Sequence, residues 1–316
     1  MADPQHSSPP DLRGRRRPLE RGIVLLLFLA GALSIAITVG ILWELGKESL
    51  LFFEDEQVDL WDFLTKTEWL PQAGQFGIWP LVLGTTLIAV IALIVAIPIG
   101  LGSAIYLSEY ATERVRRIVK PALEVLVGIP TVVFGFFAVT FMTPILRDVF
   151  GPSRVGFFNV LSAGIVVGIL IVPLISSLAE DAMSAVPGSL RQAAYALGAS
   201  RFEVASRIVL PAALSGIAAG VVVAGSRAVG ETMVVTLAAG ASPRNFSWSD
   251  PGAMLNPFDG AQTMTGYIAI TANGDLSYNT VDYNSIFAIG LALFVMTLVL
   301  NSVSRRIVKR FRQVYE

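Results

Sequence analysis

A polar stretch between two hydrophobic blocks runs from Gln192 to Pro211 and reads QAAYALGASRFEVASRIVLP. Ser189 precedes Gln192 by three residues, a spacing that predicts a capping box in which each side chain bonds the other residue's backbone amide. Gly198 is predicted to end this helix, because glycine adopts the left-handed conformation of a helix C-terminus without steric cost. Two turns of helix are not stable alone in water. We therefore expect the apolar face of this helix to pack against another surface.

Further signals describe the two helices of this stretch. Ser200 and Glu203 predict a second capping box, so another helix starts almost at once. Pro211 predicts a break or kink in that second helix, because proline has no amide proton to donate. The first helix carries one apolar stripe at positions i, i+3, i+4 and i+7, formed by Leu190, Ala193, Ala194 and Leu197.

The composition is that of an integral membrane protein. Of the 316 residues, 54% are hydrophobic and only 15% are charged, and the mean hydropathy is +0.66; soluble domains carry about 25% charged residues. The chain has no cysteine, and its one histidine, His6, lies in a polar N-terminal tail. Disulfides, thiol or Ser–His catalysis and metal sites built on Cys or His are therefore excluded. The net charge of −1 argues against a nucleic-acid partner.

Six runs are apolar over the length of about 20 residues that crosses the hydrocarbon core of a bilayer. We therefore predict an all-α integral membrane protein. Its second transmembrane helix is expected to kink at Pro98. The six helices are predicted over residues 22–43, 79–107, 125–146, 155–179, 212–240 and 283–304.

Basic residues predict the orientation, because cytoplasmic loops of membrane proteins are enriched in Lys and Arg. Of the 23 basic residues, 17 fall on one side of the predicted helices, five fall on the other, and Arg227 lies within a helix. Both termini are therefore predicted to be cytoplasmic. The predicted organisation is a cytoplasmic tail (1–21), a first helix (22–45), an acidic outer loop (46–78), a main transmembrane domain (79–304) that contains the loop 187–211, and a basic tail (305–316).

A second long outer loop is predicted over residues 241–284. Its aspartates lack the spacing of a calcium-binding loop, so we predict a solvated face and no metal site. These residues are Asp250, Asp259, Asp275 and Asp282.

One ionisable pair is predicted at membrane depth, in the sequence GSRAVGET of residues 225–232. Ionisable groups there are costly and usually face a cavity or a partner. Arg227 and Glu231 are four residues apart, which predicts one helix face, and we interpret them, with Ser226 and Thr232, as lining a substrate path. The alternative is a structural ion pair, although Arg before Glu is the weaker order for a helix pair.

The chain lacks a glycine-rich loop of the kind that binds nucleotide phosphates. If ATP drives this protein, the ATPase must therefore be another chain. The loop residues resemble the EAA loop of the membrane subunits of ABC importers, Glu-Ala-Ala-x3-Gly-x9-Ile-x-Leu-Pro, with Gln192 in place of Glu. The matching positions are Ala193, Ala194, Gly198, Ile208, Leu210 and Pro211. The resemblance implies a coupling helix that docks into an ATPase subunit through Leu190, Gln192, Ala193, Ala194, Leu197 and Gly198.

A narrower resemblance extends from about residue 22 to residue 305. The sequences IPIGLGSAIYLSEYA (97–111), LEVLVGIPTVVFGFF (123–137) and SRAVGETM (226–233) resemble the C-type permease subunit of bacterial phosphate ABC importers. This resemblance implies a type I importer permease fold in the cytoplasmic membrane and phosphate as the cargo. It also implies a second, homologous permease chain, two ATPase subunits that bind ATP and Mg²⁺, and an extracytoplasmic phosphate-binding protein. No catalytic residue, metal or cofactor is assigned to this chain itself.

Three alternatives remain at this stage. The cargo of the same family could be another small oxyanion or solute. A secondary transporter or ion channel would explain six spans and an intramembrane arginine, but it would not need a loop that can dock. A membrane-embedded enzyme would need more catalytic groups than Arg227 and Glu231 supply.

Overall fold

A computed structural model of the chain describes residues 18–274, 277 and 280–311. Predictions about the basic residues 13–17, His6, Asp275 and the end of the basic tail lie outside the described residues. The chain divides into two compact units, Met1–Lys47 and Glu48–Glu316.

The first unit contains most of helix α1 (Pro18–Phe53), which continues into the start of the second unit. This helix is apolar on all its faces, as expected of a helix that spans a membrane. Its candidate span, Glu20–Phe53, is longer than the predicted 22–45.

The second unit contains the remaining helices and a short antiparallel β-hairpin. Three single π-turns interrupt longer helices, at Tyr106–Tyr110, Ala138–Met142 and Ala205–Val209. The elements are α2 (Leu60–Thr65), β1 (Trp69–Leu70), β2 (Gln75–Phe76), α3 (Trp79–Ile105), α4 (Glu113–Val127), α5 (Thr131–Phe137), α6 (Thr143–Phe150), α7 (Val160–Ser184), α8 (Gly188–Ala196), α9 (Arg201–Val204), α10 (Leu210–Val229), α11 (Met233–Ala238), α12 (Pro251–Leu255), α13 (Met264–Ala272) and α14 (Val281–Phe311).

Helix α7 is the centre of this unit and packs against α3 and α10. Small residues allow the close approach. A Cβ atom on Gly164 would lie 2.7 Å from the Cβ of Ile91, and one on Gly168 would lie 2.9 Å from the carbonyl oxygen of Ala92. Glycine at such contacts is typical of membrane helices, whose association depends on close packing because lipid is as apolar as their side chains.

The prediction of six membrane spans is confirmed, because six helices of the described residues are long and apolar enough to cross a bilayer. The third and fifth predictions have the wrong bounds. The spans predicted over 125–146 and 212–240 run from Thr131 to Phe150 and from Arg201 to Val229. Residues up to Val127 instead end the separate amphipathic helix α4. Pro130 is the reason, because its extended backbone ends one helix and precedes the first turn of the next.

The second helix is not broken at Pro211, so that part of the predicted break or kink is wrong. Helical structure continues from Arg201 to Val229 through the π-turn. Pro211 lies at the second position of α10, directly after the π-turn Ala205–Val209. A widened turn of this kind can accommodate a residue that has no amide proton and a bulky ring.

The predicted outer loop 46–78 is folded. Its core is a cluster of aromatic rings in edge-to-face contact: Phe52, Phe63, Trp69, Phe76 and Tyr267. The last ring belongs to α13, so the cluster joins the hairpin β1–β2 to an element that is about 200 residues away in sequence.

We expect Trp69→Ala to lower the free energy of unfolding by about 3–5 kcal/mol, because Trp69 is fully buried and its loss leaves a cavity. Trp61→Ala is the matched control, since Trp61 is 72% exposed on α2. Thermal unfolding in detergent measures both. Equal melting temperatures for the two variants would contradict the assignment of Trp69 to a core.

The predicted outer loop 241–284 contains α12 and α13, and the first four residues of α13, Met264 to Tyr267, are buried. Arg244 closes this segment by donating hydrogen bonds to the carbonyl oxygens of Asn256 (2.6 Å), Asp259 (2.5 Å) and Gly260 (2.8 Å). Burial lowers the pKa of Arg244, and the carboxylate of Asp259 partly opposes that shift. The segment is therefore held by a half-buried cation rather than being a fully solvated loop.

Candidate functional site

The helical hairpin formed by α8 and α9 contains the stretch that resembles an EAA loop. Helix α8 begins at Gly188, after Pro187, and no side chain caps it. The predicted capping box of Ser189 and Gln192 is therefore wrong, because the helix starts two residues earlier than predicted, with Pro187 and not Ser189 at the N-cap position. The box of Ser200 and Glu203 is confirmed, with both of its hydrogen bonds present.

Gly198 separates the two helices of the hairpin. Its φ is +82°, so the predicted left-handed conformation is confirmed. No atom lies near the position that a Cβ would occupy. Glycine is therefore required there by the backbone conformation and not by a lack of space.

The apolar stripe of α8 is divided between two environments. Ala194 is 6% exposed and packs, with the half-buried Leu190, against the chain's own cluster around Met183 and Val209. Leu197 is 90% exposed, and Gln192 and Ala193 are exposed beside it. The prediction that the whole stripe faces a partner is therefore wrong for Ala194 and Leu190, because α9 and the following π-turn already cover them.

The hairpin nevertheless presents an apolar surface. Tyr195 is 43% exposed and Phe202 is 70% exposed, in addition to Leu197. Large exposed apolar side chains are typical of protein–protein contact sites. We call these three residues the exposed apolar surface of the hairpin.

Two groups of charged residues near the hairpin were not found from the sequence. Arg191 of α8 contacts Glu109 in the π-turn that follows α3, with Nη2 to Oε1 at 3.0 Å. Glu180, near the end of α7, contacts Arg116 and Lys120 of α4. The sequence contained one signal for the second group. Glu180 directly follows the predicted span 155–179 and lies on the same predicted side of the membrane as the basic residues of α4, so an ion pair between them could have been predicted.

A break in the helix follows Arg227. Helix α10 ends at Val229, and α11 begins only at Met233. Glu231 lies in the break and is 8% exposed, and its carboxylate accepts a hydrogen bond from the amide of Val234 at 3.3 Å. The prediction that Arg227 and Glu231 share one helix face is therefore wrong, because the Glu231 side chain caps the next helix.

The break also contacts α13. The hydroxyl of Thr265 donates a hydrogen bond to the backbone carbonyl of Glu231 at 2.8 Å, and Thr265 is itself buried. The hydroxyl of Thr232 donates to the carbonyl of Gly230 at 3.3 Å. The polar groups of the break are thus bonded locally and to α13, as buried backbone groups in a membrane protein must be.

Arg227 and Ser226 differ in their contacts. Arg227 is exposed in the last turn of α10, a favourable end of the helix dipole for a cation, and no described residue forms an ion pair with it. The hydroxyl of Ser226 hydrogen-bonds Asn301 of α14 at 2.9 Å. The predicted path residues are therefore not all brought together: Glu231 and Thr232 lie in the break, Arg227 lies one turn before it, and Ser226 contacts α14.

A groove of about 520 Å³ lies between α3, α10 and α14. Its walls are mostly aliphatic, and the polar groups among them are hydroxyls such as those of Thr86 and Ser226. It contains no cation, so it is unsuited to an oxyanion and suited to lipid or another apolar helix. Within the described part of the chain, no group of three or more acidic or histidine side chains is arranged to hold a metal ion.

Six helices that are long and apolar enough to cross a bilayer indicate a multi-pass membrane protein. Residues 96–313 match the family described as "Binding-protein-dependent transport system inner membrane component", and the chain belongs to this family. It is therefore an ABC importer permease.

Relatives and solved structures support the same class. The chain is 32% identical over 291 residues to the "Probable ABC transporter permease protein YqgH" of Bacillus subtilis, covering 92% of this chain and 88% of that protein. It is 31% identical over 307 residues to the "Phosphate transport system permease protein PstC" of Mesorhizobium japonicum, covering 91% and 86%.

Its fold is similar to that of a chain in a bacterial alginate ABC transporter solved in complex with an alginate-bound periplasmic protein. The TM-score is 0.62 at 14% identity, with 96% of this chain and all of that chain covered. A chain of the MetNI methionine ABC transporter is also similar, with a TM-score of 0.52 at 18% identity over 75% of this chain and 95% of that chain. The type I importer permease fold is confirmed.

Proposed function

We propose that this permease carries inorganic phosphate through the cytoplasmic membrane and that separate subunits hydrolyse the ATP. The observation that carries the proposal is the exposed Arg227, which has no ion pair among the described residues and lies beside a helix break. Relatives named as phosphate transport permeases, at 29–31% identity over more than nine-tenths of this chain, favour phosphate over other oxyanions.

The chemistry of Arg227 suits this cargo. Phosphate loses hydration when it enters a bilayer, and a fixed guanidinium lowers that barrier for an anion and raises it for a cation. The planar guanidinium can also donate two parallel hydrogen bonds to an oxyanion. Glu231 then has a different role from the one that its sequence spacing suggests: it fixes the start of α11, so that Arg227 stays free for the anion.

The exposed apolar surface of the α8–α9 hairpin supports the second part of the proposal. We infer that Leu197 and its neighbours dock into an ATP-binding subunit, where ATP and Mg²⁺ are held. A second, homologous permease chain and an extracytoplasmic phosphate-binding protein complete the proposed complex. This chain itself holds no cofactor and performs no catalysis in the proposal.

We further propose that both termini and the hairpin are cytoplasmic and that residues 46–78 and 241–284 face outward. Single cysteines are clean probes because the chain has none of its own. We expect Glu56→Cys and Ala253→Cys, both at exposed positions, to react with a membrane-impermeant maleimide from outside intact cells. Ser189→Cys on α8 is the matched control and should react only after the membrane is opened. The reverse pattern would contradict the orientation.

Competition for uptake tests the cargo. Cells that express the complete complex should accumulate labelled phosphate, and unlabelled phosphate should compete while sulfate should not. Effective competition by sulfate, or uptake of sulfate in place of phosphate, would assign the permease to another oxyanion. Uptake that an ion gradient drives without ATP would instead indicate a secondary transporter.

A further inference from the structure

Two charged clusters hold the connection between α7 and α8. In the first, the carboxylate of Glu180 contacts Arg116 and accepts hydrogen bonds from Lys120 Nζ at 2.7 Å and from Ser184 Oγ at 2.9 Å. Its side chain is 1% exposed, and Lys120 also contacts Asp181 at 2.7 Å. This cluster ties the end of α7 to α4.

The second cluster is centred on Arg191, three residues into α8. Its Nε and Nη2 donate to Glu109 Oε1 at 3.2 and 3.0 Å. Its Nη1 donates to the carbonyl of Val186 at 2.7 Å, and Nη2 also donates to the carbonyl of Met183 at 2.8 Å. The Glu109 side chain is 4% exposed. One guanidinium therefore joins α8 to the end of α3 and to the end of α7.

Stability alone is a weak explanation for these clusters. Removing two charges from water costs about as much as their attraction returns, so apolar residues often replace a buried pair without loss of stability. Hydrogen-bonded ion pairs add geometric specificity that apolar packing lacks. A guanidinium bound by three acceptors fixes both the distance and the orientation of the helix that carries it.

The helices that the clusters join also contact elements next to the helix break. Helix α4 is followed, after the connection at Pro130, by α5, which packs against α11, and a Cβ on Gly135 of α5 would lie 3.1 Å from the Cβ of Leu237 of α11. Helix α11 begins at the break that Glu231 caps. A displacement of α8 can therefore be transmitted to the break through the packed helices α4, α5 and α11.

We propose that Arg191 and Glu109, with Glu180 and Lys120, are positioning residues that transmit movement of α8 to α3 and α4 and from there to the break. The inference rests on the proposed docking of α8 to an ATPase subunit. The clusters touch no cargo, and their role is to make the hairpin move as one body with the helices around the path. Without them, an ATPase subunit could move α8 while the path stayed closed.

The test uses the complete complex in proteoliposomes, in which phosphate uptake and ATP hydrolysis are measured together. We expect Arg191→Gln and Glu109→Gln complexes to assemble and hydrolyse ATP, while the ATP hydrolysed for each phosphate imported rises at least about tenfold. The double variant should be no worse than Arg191→Gln alone, because Arg191→Gln already removes the contact with Glu109. Arg207→Gln is the matched control, since Arg207 is 79% exposed and its one ion pair among the described residues, with Glu203, is 4.0 Å long.

The outcomes separate a positioning role from a structural one. An unchanged ratio of ATP to phosphate in assembled Arg191→Gln complexes would overturn the proposal. So would impaired assembly of both single variants with a normal ratio in the fraction that assembles, because that result indicates folding alone. If wild-type complexes show no ATP-driven phosphate uptake, the proposed function fails instead, independently of these variants.

Discussion

Arg227→Gln should reduce phosphate uptake at least about 100-fold while the complex still assembles. The change removes two charge-assisted hydrogen bonds to the anion, each contributing about 1.5–3 kcal/mol, and a loss of about 3 kcal/mol corresponds to more than a hundredfold. Because Arg227 is exposed and pairs with no described residue, its replacement leaves no buried partner uncompensated. Initial rates of labelled phosphate uptake measure the effect.

Companion variants define the cause. Arg227→Lys should retain partial uptake, because it keeps the charge and loses the planar fork. Arg154→Gln is the matched control, since Arg154 is an exposed arginine in the connection between α6 and α7, and it should transport normally. Near-normal uptake by Arg227→Gln, or by Arg227→Gln with Glu231→Gln, would refute a role for Arg227 in the path.

The effects of replacing Glu231 on stability and uptake should follow from its capping of α11. Glu231→Gln is expected to be mild, because an amide oxygen can still accept the hydrogen bond from the amide of Val234. Glu231→Ala removes the acceptor and should lower both stability and uptake. Equal, severe loss in both variants would indicate that the negative charge itself is needed.

Leu197→Glu should abolish association with the ATPase subunit. Leu197 is 90% exposed, so the new charge is harmless in the free chain and costly only where a partner buries it. A hot-spot loss of about 2 kcal/mol or more corresponds to at least about 30-fold weaker binding. Co-purification of the ATPase subunit from membranes measures it.

The control for this experiment is Leu60→Glu, on α2, where a leucine is 53% exposed. It introduces the same charge in a segment that we place on the other face of the membrane, and association should be unchanged. Wild-type association of Leu197→Glu would contradict docking through α8. Ala194→Glu is unsuitable for this purpose, because Ala194 is buried in the chain's own core.

The number of spans was predictable from the sequence because charge and length alone decide which segments can cross a bilayer. The bounds of the third span were not, because residues 125–146 are apolar on both sides of Pro130 and hydropathy does not register a backbone break. The helix end at Gly198 was predictable, since a glycine directly after an apolar stripe is typical of the left-handed residue that ends a helix.

The details of the α8–α9 hairpin and of the helix break could not be predicted from the sequence. Ala194 is small enough for either a partner or the chain's own core, so periodicity could not distinguish the two. The spacing of Arg227 and Glu231 predicts one helix face only if the helix continues, and the capping role of Glu231 depends on tertiary structure. Arg191 and Glu109 are 82 residues apart in sequence, and only the packing of α8 against the end of α3 brings them together.

The most direct test of an ATP-driven phosphate permease is phosphate uptake by proteoliposomes that contain this chain, its partner permease and the ATPase subunits. ATP is enclosed in the lumen, which corresponds to the cytoplasm, and the binding protein is added outside. The account predicts that labelled phosphate accumulates only when ATP and the binding protein are both present. Phosphate accumulation without ATP, or ATP-driven accumulation of another solute but not of phosphate, would contradict it.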